Sequence, residues 1–581
     1  MKQRITLLLV TLSVGLFTQA ATRFFVSAST GSDLNDGTSW EMAFATIQPA
    51  IESAYNASVT QASVVEVWVK QGTYNVTAPI LWRDSVNVYG GFVGTESLLS
   101  ERNTDPANTI IDGGGISRVL QQNGAFDSEF VFNGFTVQNG SGNFSTTIGA
   151  GGVYLRTNGK LENCVVKNNY SAYNGAGIYL HYGGYVYDCV IENNSLIAGK
   201  SGAGIYLNYA SSGTDPIVEN CIIKNNHVAG ETNTGSKGGG VYASGGYVVN
   251  CIVSDNSAYQ GGGLYAYSSD LQGSVYVVGC KILNNLGHST GGGIYTSVLT
   301  NSNTLYPSIV NCLVANNTSG SNGGGINAAN NSTTREYGNR IINCTVVRNT
   351  TTGSTSSYPG IYSQNANFVM NTIIWGNLAE TASVKRQFYS SDNAFARFIN
   401  VAIQDLVDPD QFTGGASTKV VRSGLIALSP DNTTHVKFIS PTTNPGVDAT
   451  GWETANWNIS DMSVCAQQGV ASFTDAVYTA TAPTTEIRGK SRPATPSIGA
   501  YENDGVYSSI NNLHIHNNIM VVNNDIITDS KGLIKVYSLS GKELISQQID
   551  GYFTTDLLSG IYVIRFIDNL GQVSSLKCVI R

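Results

Sequence analysis

One phrase recurs along this chain more often than any other: a glycine, an aliphatic residue and then, in all but one case, tyrosine. It stands at Gly152-Val153-Tyr154, Gly177-Ile178-Tyr179, Gly204-Ile205-Tyr206, Gly240-Val241-Tyr242, Gly263-Leu264-Tyr265, Gly293-Ile294-Tyr295, Gly325-Ile326-Asn327 and Gly360-Ile361-Tyr362. A second phrase alternates strictly with it and centres on Cys164, Cys189, Cys221, Cys251, Cys280, Cys312 and Cys344, with Phe135 and Thr372 in the cysteine place at the two ends. The shortest glycine-to-cysteine step runs from Gly240 to Cys251 and the shortest return from Cys251 to Gly263, so the minimal repeat is the stretch from Gly240 to Gly263. That period is too short for paired helices and suits one coil of a parallel β-solenoid. Longer repeats take up their extra residues between the phrases, where a solenoid puts its loops.

Parity assigns faces within each coil, because alternate strand residues point to opposite sides. Val249, Cys251 and Val253 share one face and are expected inside, and the seven cysteines become a column of small buried hydrophobes. Exported proteins with nine cysteines also invite disulfides, but seven thiols in one column cannot all pair. Four residues after the cysteines stand Asn168, Asn193, Asn225, Asn284 and Asn316, with Asp255 and Arg348 as exceptions. The same parity turns these inward as a hydrogen-bonded asparagine ladder. The following asparagine, from Asn169 to Asn349, is expected at a turn that tolerates left-handed geometry. The tyrosines Tyr154, Tyr179, Tyr206, Tyr242, Tyr265, Tyr295 and Tyr362 point outward, and form either a stiffening stack or a platform for sugar rings.

These repeats resemble right-handed parallel β-helix proteins, in particular the glycine-rich repeats of polymorphic outer membrane proteins. TGSDLNDGTSW (30–40), AFATIQPAIESA (43–54), VWVKQGTYNV (67–76), YGGFVGTE (89–96) and ERNTDPANTIIDG (101–113) resemble the opening segment of secreted bacterial β-helix proteins. Within it Thr46 is the expected N-cap of a helix whose apolar face, Ile47, Ala50, Ile51 and Ala54, plugs the N-terminal end of the core. Arg488-Gly489, Arg492-Pro493 and Ile498-Gly499-Ala500-Tyr501-Glu502 resemble the closing segment of the same proteins. VYSLSGKEL (536–544), DLLSGIYVIRF (556–566) and SSLKCVIR (574–581) resemble the C-terminal sorting domain of type IX secretion substrates, a β-sandwich. The expected class is therefore all-β: a signal peptide at 1–20, a cap and first coils at 21–115, and regular coils at 116–380. Irregular final coils and a C-terminal cap follow at 381–502, then a linker at 503–518 and a sorting-like domain at 519–581.

Residues 1–20 read as a secretory signal: Lys2 and Arg4, an apolar run Ile5–Phe17, and Thr18-Gln19-Ala20 before the expected cut. The run is short for a transmembrane helix, and none is expected in the mature chain. A net charge of −8 argues against nucleic acid. Charged residues are 12% of the chain against roughly 25% in an average domain, and the acids Glu162, Asp188, Glu192, Glu219 and Asp255 are scattered, so no catalytic carboxylate cluster is recognised. Asp112-Gly113 and Asn103-Thr104-Asp105 are read as structural turns, as is Asp33-Leu34-Asn35-Asp36-Gly37, which lacks the spacing of a calcium loop. His514 and His516 share a strand face but make no metal site. No cofactor or metal is expected. The reading is an exported, surface-displayed β-helix with an adhesive or carbohydrate-binding role. Its expected partners are polysaccharides or host or cell-surface glycans, and the secretion machinery through the C-terminal domain. The expected location is the exterior of a Gram-negative outer membrane. The alternatives are a polysaccharide lyase or glycoside hydrolase on a pectate-lyase-like helix, and a structural surface protein without ligand.

Overall fold

The computed structural model describes residues 22–503, apart from 143–148, 210–213, 231, 270–272, 300–304, 331–337, 354–357, 382–386, 391–395, 407–420 and 448, together with most of 513–580. The signal segment lies outside the described residues. From Arg23 to Leu428 the chain winds as a right-handed parallel β-solenoid. Each regular coil has four short strands, as in Val241–Ala243, Gly246–Val249, Ile252–Ser254 and Ser257–Gln260. Stacked between coils they give four parallel sheets, termed first to fourth in that order, of 11, 14, 13 and 9 strands. Register is strict: Val241 pairs with Leu264 and Tyr242 with Tyr265, each one minimal repeat further on.

The corners explain the repeated asparagines and correct two parity assignments. Asn250 has φ 51°, so the chain turns there, and alternation restarts after it. Val248 rather than Val249 therefore points inward, with Cys251 and Val253 inward beyond the turn. The second corner falls on Asn168, Asn193, Asn225, Asp255, Asn284, Asn316 and Arg348, all with φ of 53–57°. These asparagines are the turn, not the ladder. Asparagine is suited to this left-handed conformation because its short polar side chain bonds locally. The buried ladder is the next column. Asn169 Nδ2 donates to Asn194 Oδ1 (3.0 Å), and the chain continues through Asn226, Asn256, Asn285, Asn317, Asn349 and Asn377 at 2.9–3.0 Å per step. Each amide also donates to a carbonyl of the coil before, as Asn256 does to Ile223 (2.9 Å), and accepts a backbone N–H from that coil. Gln387 closes the row by accepting from Asn377 (3.0 Å).

The triple glycines make room for this ladder. Gly261 takes φ 63° at the third corner. A Cβ on Gly263 would stand 2.7 Å from the Gly293 carbonyl and 2.9 Å from the Asn285 amide. The seven column cysteines are free thiols, all buried. Cys251 Sγ lies 3.2 Å from the Val249 carbonyl and 3.6 Å from Val218 O. Burial and neighbouring thiols push Cys189, Cys251 and Cys312 well above the ordinary thiol range, and all seven side chains lie inside the coil, out of contact with solvent.

The helix Ile47–Gln61 buries Ile47, Ala50, Ile51 and Ala54 against the first strands. Thr46 holds the N-cap place but makes no side-chain cap bond. Asp33 serves instead, accepting from Ala45 N and Thr46 N (2.9 Å each) and from Thr46 Oγ1 (2.8 Å). The loop that resembles a cation site thus fastens the helix.

Residues 429–503, apart from 448, follow the last coil. They turn back along the outside of the solenoid and cover the third sheet, where Phe438, Trp457, Ile459, Cys465, Ile498, Ala500 and Tyr501 pack on Leu313, Ala315, Val347, Ile373 and Trp375. A hairpin, Ser472–Thr474 with Thr479–Thr481, lies on the second sheet against Ile342, Phe368, Met370 and Ile399. This arm is tied to both corner rows, to the second through Asn316, which donates to Asn444 O (3.1 Å), and to the first through Asn311, Asn371 and Asn400. Arg492 pairs with Glu502 and donates to Asn311 Oδ1 (2.8 Å); Asn371 and Asn400 donate to Val470 O (2.8 Å) and Gln468 O (2.7 Å). Separately, six antiparallel strands between Leu513 and Ile580 enclose Ile534, Val536, Ile549, Ile564 and Phe566. The first of them, Leu513–His516, begins inside the expected linker.

Two outcomes are expected. Asn226→Ala, which opens the ladder in mid-column, should cost about 1–3 kcal/mol in denaturant unfolding, whereas the neighbouring corner change Asn225→Gly should stay within about 0.5 kcal/mol. A thiol reagent should leave the seven column cysteines unmodified in the native protein and label all seven after denaturation without reductant. Two or fewer labelled residues would show that the column is crosslinked.

Candidate functional site

The tyrosine column points away from the core, but it is not an open platform. Ring centroids follow one another at 5.7, 5.0, 4.8, 5.3 and 4.9 Å from Tyr154 to Tyr295, with interplanar angles of 27° or less. Each ring thereby presents its faces to its neighbours, and Tyr265 is only 4% exposed. The Arg118 guanidinium caps the first ring at 5.3 Å, and Lys237 lies 5.0 Å from the Tyr265 ring. The Tyr154 hydroxyl meets His181 Nδ1. Asn327 interrupts the column, and Tyr362 belongs to a separate stack with Tyr358 and Tyr389. Of the two readings of this column the rings form the stack and not the platform: in-register strands place identical rings about 4.8 Å apart, so ring faces are taken up by each other.

The open surface lies instead on the outside of the third sheet. The first outward row of its strands, Val165, Val190, Ile222 and Ile252, is in register on successive coils and only partly covered, with Ile222 38% exposed. A charged row runs beside it: Lys167, Glu192 and Lys224, the last two paired at 3.3 Å. The two left-handed corners edge the sheet with polar groups, Asn163, Asp188, Asn220 and Asn250 on one side and Asn168, Asn193, Asn225 and Asp255 on the other. Asn168, Asn193 and Asn225 are exposed. A strip with one apolar and one charged row between polar rails results, about 14 Å from first to fourth strand at ~4.8 Å per coil.

Both ends of the strip are walled. At the N-terminal end, residues 104–106 lie over it: Asn163 Nδ2 donates to Thr104 O (2.6 Å) and Thr136 Oγ1 to Pro106 O (3.0 Å). At the other end stands the returning arm. Two clefts open on the same corner row. One, of about 550 Å³, is lined by Gly114, Gly115, Asn139, Gly140, Ser141, Asn168 and Tyr170. The other, of about 460 Å³, is lined by Lys224, Asn225, Ser254, Asp255, Asn284, Trp452 and Glu453. Tyr170, 38% exposed, flanks the first and Trp452 the second. Of the residues assigned to a buried ladder from the sequence, Asn168, Asn225 and Asn284 thus line clefts, while Asn193 lies between them.

Three acids that do not line these clefts are held by bonds within the protein. Glu162 pairs with Lys160 (3.1 Å) and accepts from Asn133 (2.8 Å). Asp112 accepts from Gln138, Asn139 and Gly114 N at 2.7–2.8 Å, and Asp105 caps the short helix Pro106–Asn108. Among the described residues no group of three His, Cys, Asp or Glu could hold a metal ion, and no helix is long and apolar enough to cross a membrane.

The coils form a right-handed parallel β-helix, and residues 107–270 match the family model described as a right handed beta helix region. No curated protein matches the chain in sequence. Among solved structures it is similar to the A-module of an Azotobacter vinelandii mannuronan C-5 epimerase (12% identity, TM-score 0.33, 66% of this chain and 92% of that one). It is also similar to PfbA, a surface adhesin of Streptococcus pneumoniae (12%, TM-score 0.27, 66% and 89%), and to the Agl-KA catalytic domain (13%, TM-score 0.26, 65% of each). Likenesses this loose do not carry a role across.

The buried stack has a pH signature. Burial pushes the Tyr206 hydroxyl up to about 12 and those of Tyr179, Tyr242 and Tyr265 higher still, against about 10 in an unfolded chain. The stack's contribution to stability is therefore complete below pH 10 and is lost as pH rises through 12. Absorbance titration should show these tyrosines ionising together with unfolding, above about pH 11; independent ionisation near 10 in the folded protein would contradict the packing.

Proposed function

We propose that the protein is exported and displays the outer face of its third sheet as a carbohydrate-binding surface at the cell exterior. The observation that carries this reading is the continuity of the strip: two clefts joined by exposed Asn168, Asn193 and Asn225, with the charged row Lys167, Glu192 and Lys224 beside them and the apolar row Val165, Val190 and Ile222 beyond it. Sugar rings offer C–H faces and hydroxyl edges. An apolar row between polar rails meets both, and an aromatic residue at each cleft adds a stacking face. Glu162, Asp112 and Asp105 are held by bonds within the protein and are not offered to a ligand. Export is supported by the leader pattern of residues 1–20 and by the sorting-like sequence at 536–581, whose small core shares no residue with the solenoid core.

Asn193→Gly with Asn225→Gly removes two amides without straining the left-handed corner, and Ile222→Ser removes the most exposed floor residue. Each variant should fold as wild type and bind a glycan array about tenfold or more weakly, which is ~1.4 kcal/mol. Wild-type binding by both would place the function elsewhere. Removal of residues from 505 onward should leave a folded solenoid that no longer reaches the cell surface. Undiminished surface display would count against sorting by this domain.

A further inference from the structure

The corner row is blocked at one end, and that limits what can lie on it. Beyond Asn284 the next corner residue, Asn316, is 1% exposed. Its amide donates to Asn444 O (3.1 Å) and Gly446 O (3.4 Å) and accepts from Thr442 Oγ1 (3.2 Å). Gly446 N bonds the carbonyl of Arg348, the corner residue after that (2.8 Å), and Val447 N bonds Thr318 Oγ1 (3.0 Å). Residues 442–447 therefore seal the track that Asn168, Asn193 and Asn225 leave open. The cleft with Trp452 sits at that stop. An extended chain following the row ends there.

The charge at the stop selects further. Lys224 is engaged by Glu192 at 3.3 Å, which leaves the carboxylates of Asp255 and Glu453 as the dominant charges on the cleft. Asp255 is oriented by Asn284, which donates to its Oδ1 (2.6 Å). Carboxylates accept hydrogen bonds from sugar hydroxyls but repel a uronate carboxylate at short range. Trp452 supplies the flat apolar face for the last ring.

Resting on the carbohydrate reading above, we propose that this cleft is a chain-end subsite for a neutral glycan, with the terminal sugar against Trp452 and its hydroxyls on Asp255, Glu453 and Asn225. The probes are linear tetrasaccharides of β-1,4-glucose, β-1,4-mannose and β-1,3-glucose, and tetrasaccharides of β-1,4-mannuronate and α-1,4-galacturonate, titrated into the full chain by calorimetry. At least one neutral probe should bind, and both uronates should bind at least tenfold more weakly at low ionic strength. Glu453→Gln, an exposed change that does not threaten folding, should narrow that gap. Trp452→Ala, checked for an unchanged melting temperature, should weaken the neutral probe at least tenfold. A bulky tag on one end of that probe should abolish binding. Tighter binding of a uronate, tolerance of tags on both ends, or wild-type affinity in Trp452→Ala would each overturn the subsite. If Ile222→Ser and the paired Asn193→Gly, Asn225→Gly variant lose binding while Trp452→Ala does not, only the subsite falls. If none of the three loses binding, or no neutral probe binds, the reading of the whole face falls with it.

Discussion

A solenoid buries a turn in every coil, and each turn brings backbone N–H and carbonyl groups that water cannot reach. The column from Asn169 to Asn377 meets this demand with one side chain per coil. Each amide spans three coils, donating to the previous carbonyl and to the next amide while its oxygen takes a backbone N–H. An unsatisfied buried group costs about 1–3 kcal/mol, so a slip of one coil by a single residue would leave several such groups open at once. Register follows from this column, and what register brings together follows in turn: the stacked tyrosines, the thiol column and the corner rows. The glycine opposite each ladder amide belongs to the same constraint, since a Cβ at Gly263 would fill the place of the Asn285 side chain.

The left-handed corners give the protein its surface. A residue at positive φ swings the chain through a corner and leaves its own side chain outside. Asparagine is therefore frequent in two outward corner rows, where Asp, Gly or Arg also occurs, and stands once per coil in the buried row. In the early coils the exposed rows face solvent. In the later coils the same positions hold the arm, as Asn311, Asn316, Asn371 and Asn400 show. One chemical device serves as a binding edge where it is open and as a fastening where it is covered. The arm also decides the length of the open strip, because its front edge carries Trp452 and Glu453 into the second cleft.

Much of this was legible in the sequence. The alternating phrases determined the solenoid, the length of its minimal coil and the inward cysteines, because a period and a parity are local properties that stacking only repeats. The helix at 47–61 was equally local. Parity failed where it was carried across a corner. A strand alternates only until a residue leaves the β region, and the Asn-Cys pair marks that departure at each coil. With the turn placed on Asn250, Val249 falls outside, and a second turn on Asp255 leaves Asn256 inside. The signal was present in the paired asparagines, but either member of a pair could have been the turn.

The arm and the site were decided by tertiary structure. The outward row Lys167, Glu192, Lys224, Ser254, Leu283, Ala315, Val347 and Trp375 changes from charged to apolar along the axis. That change marks a covered surface in the later coils but does not say which segment covers it. The clefts depend on residues far apart in the chain, such as Asn284 and Trp452, which no periodicity connects. The sequence by itself determined the coil, since each repeat carries its own turn, strand and ladder residue. Only the tertiary structure decided where the coil stays open, because that depends on how far a distant segment reaches back across it.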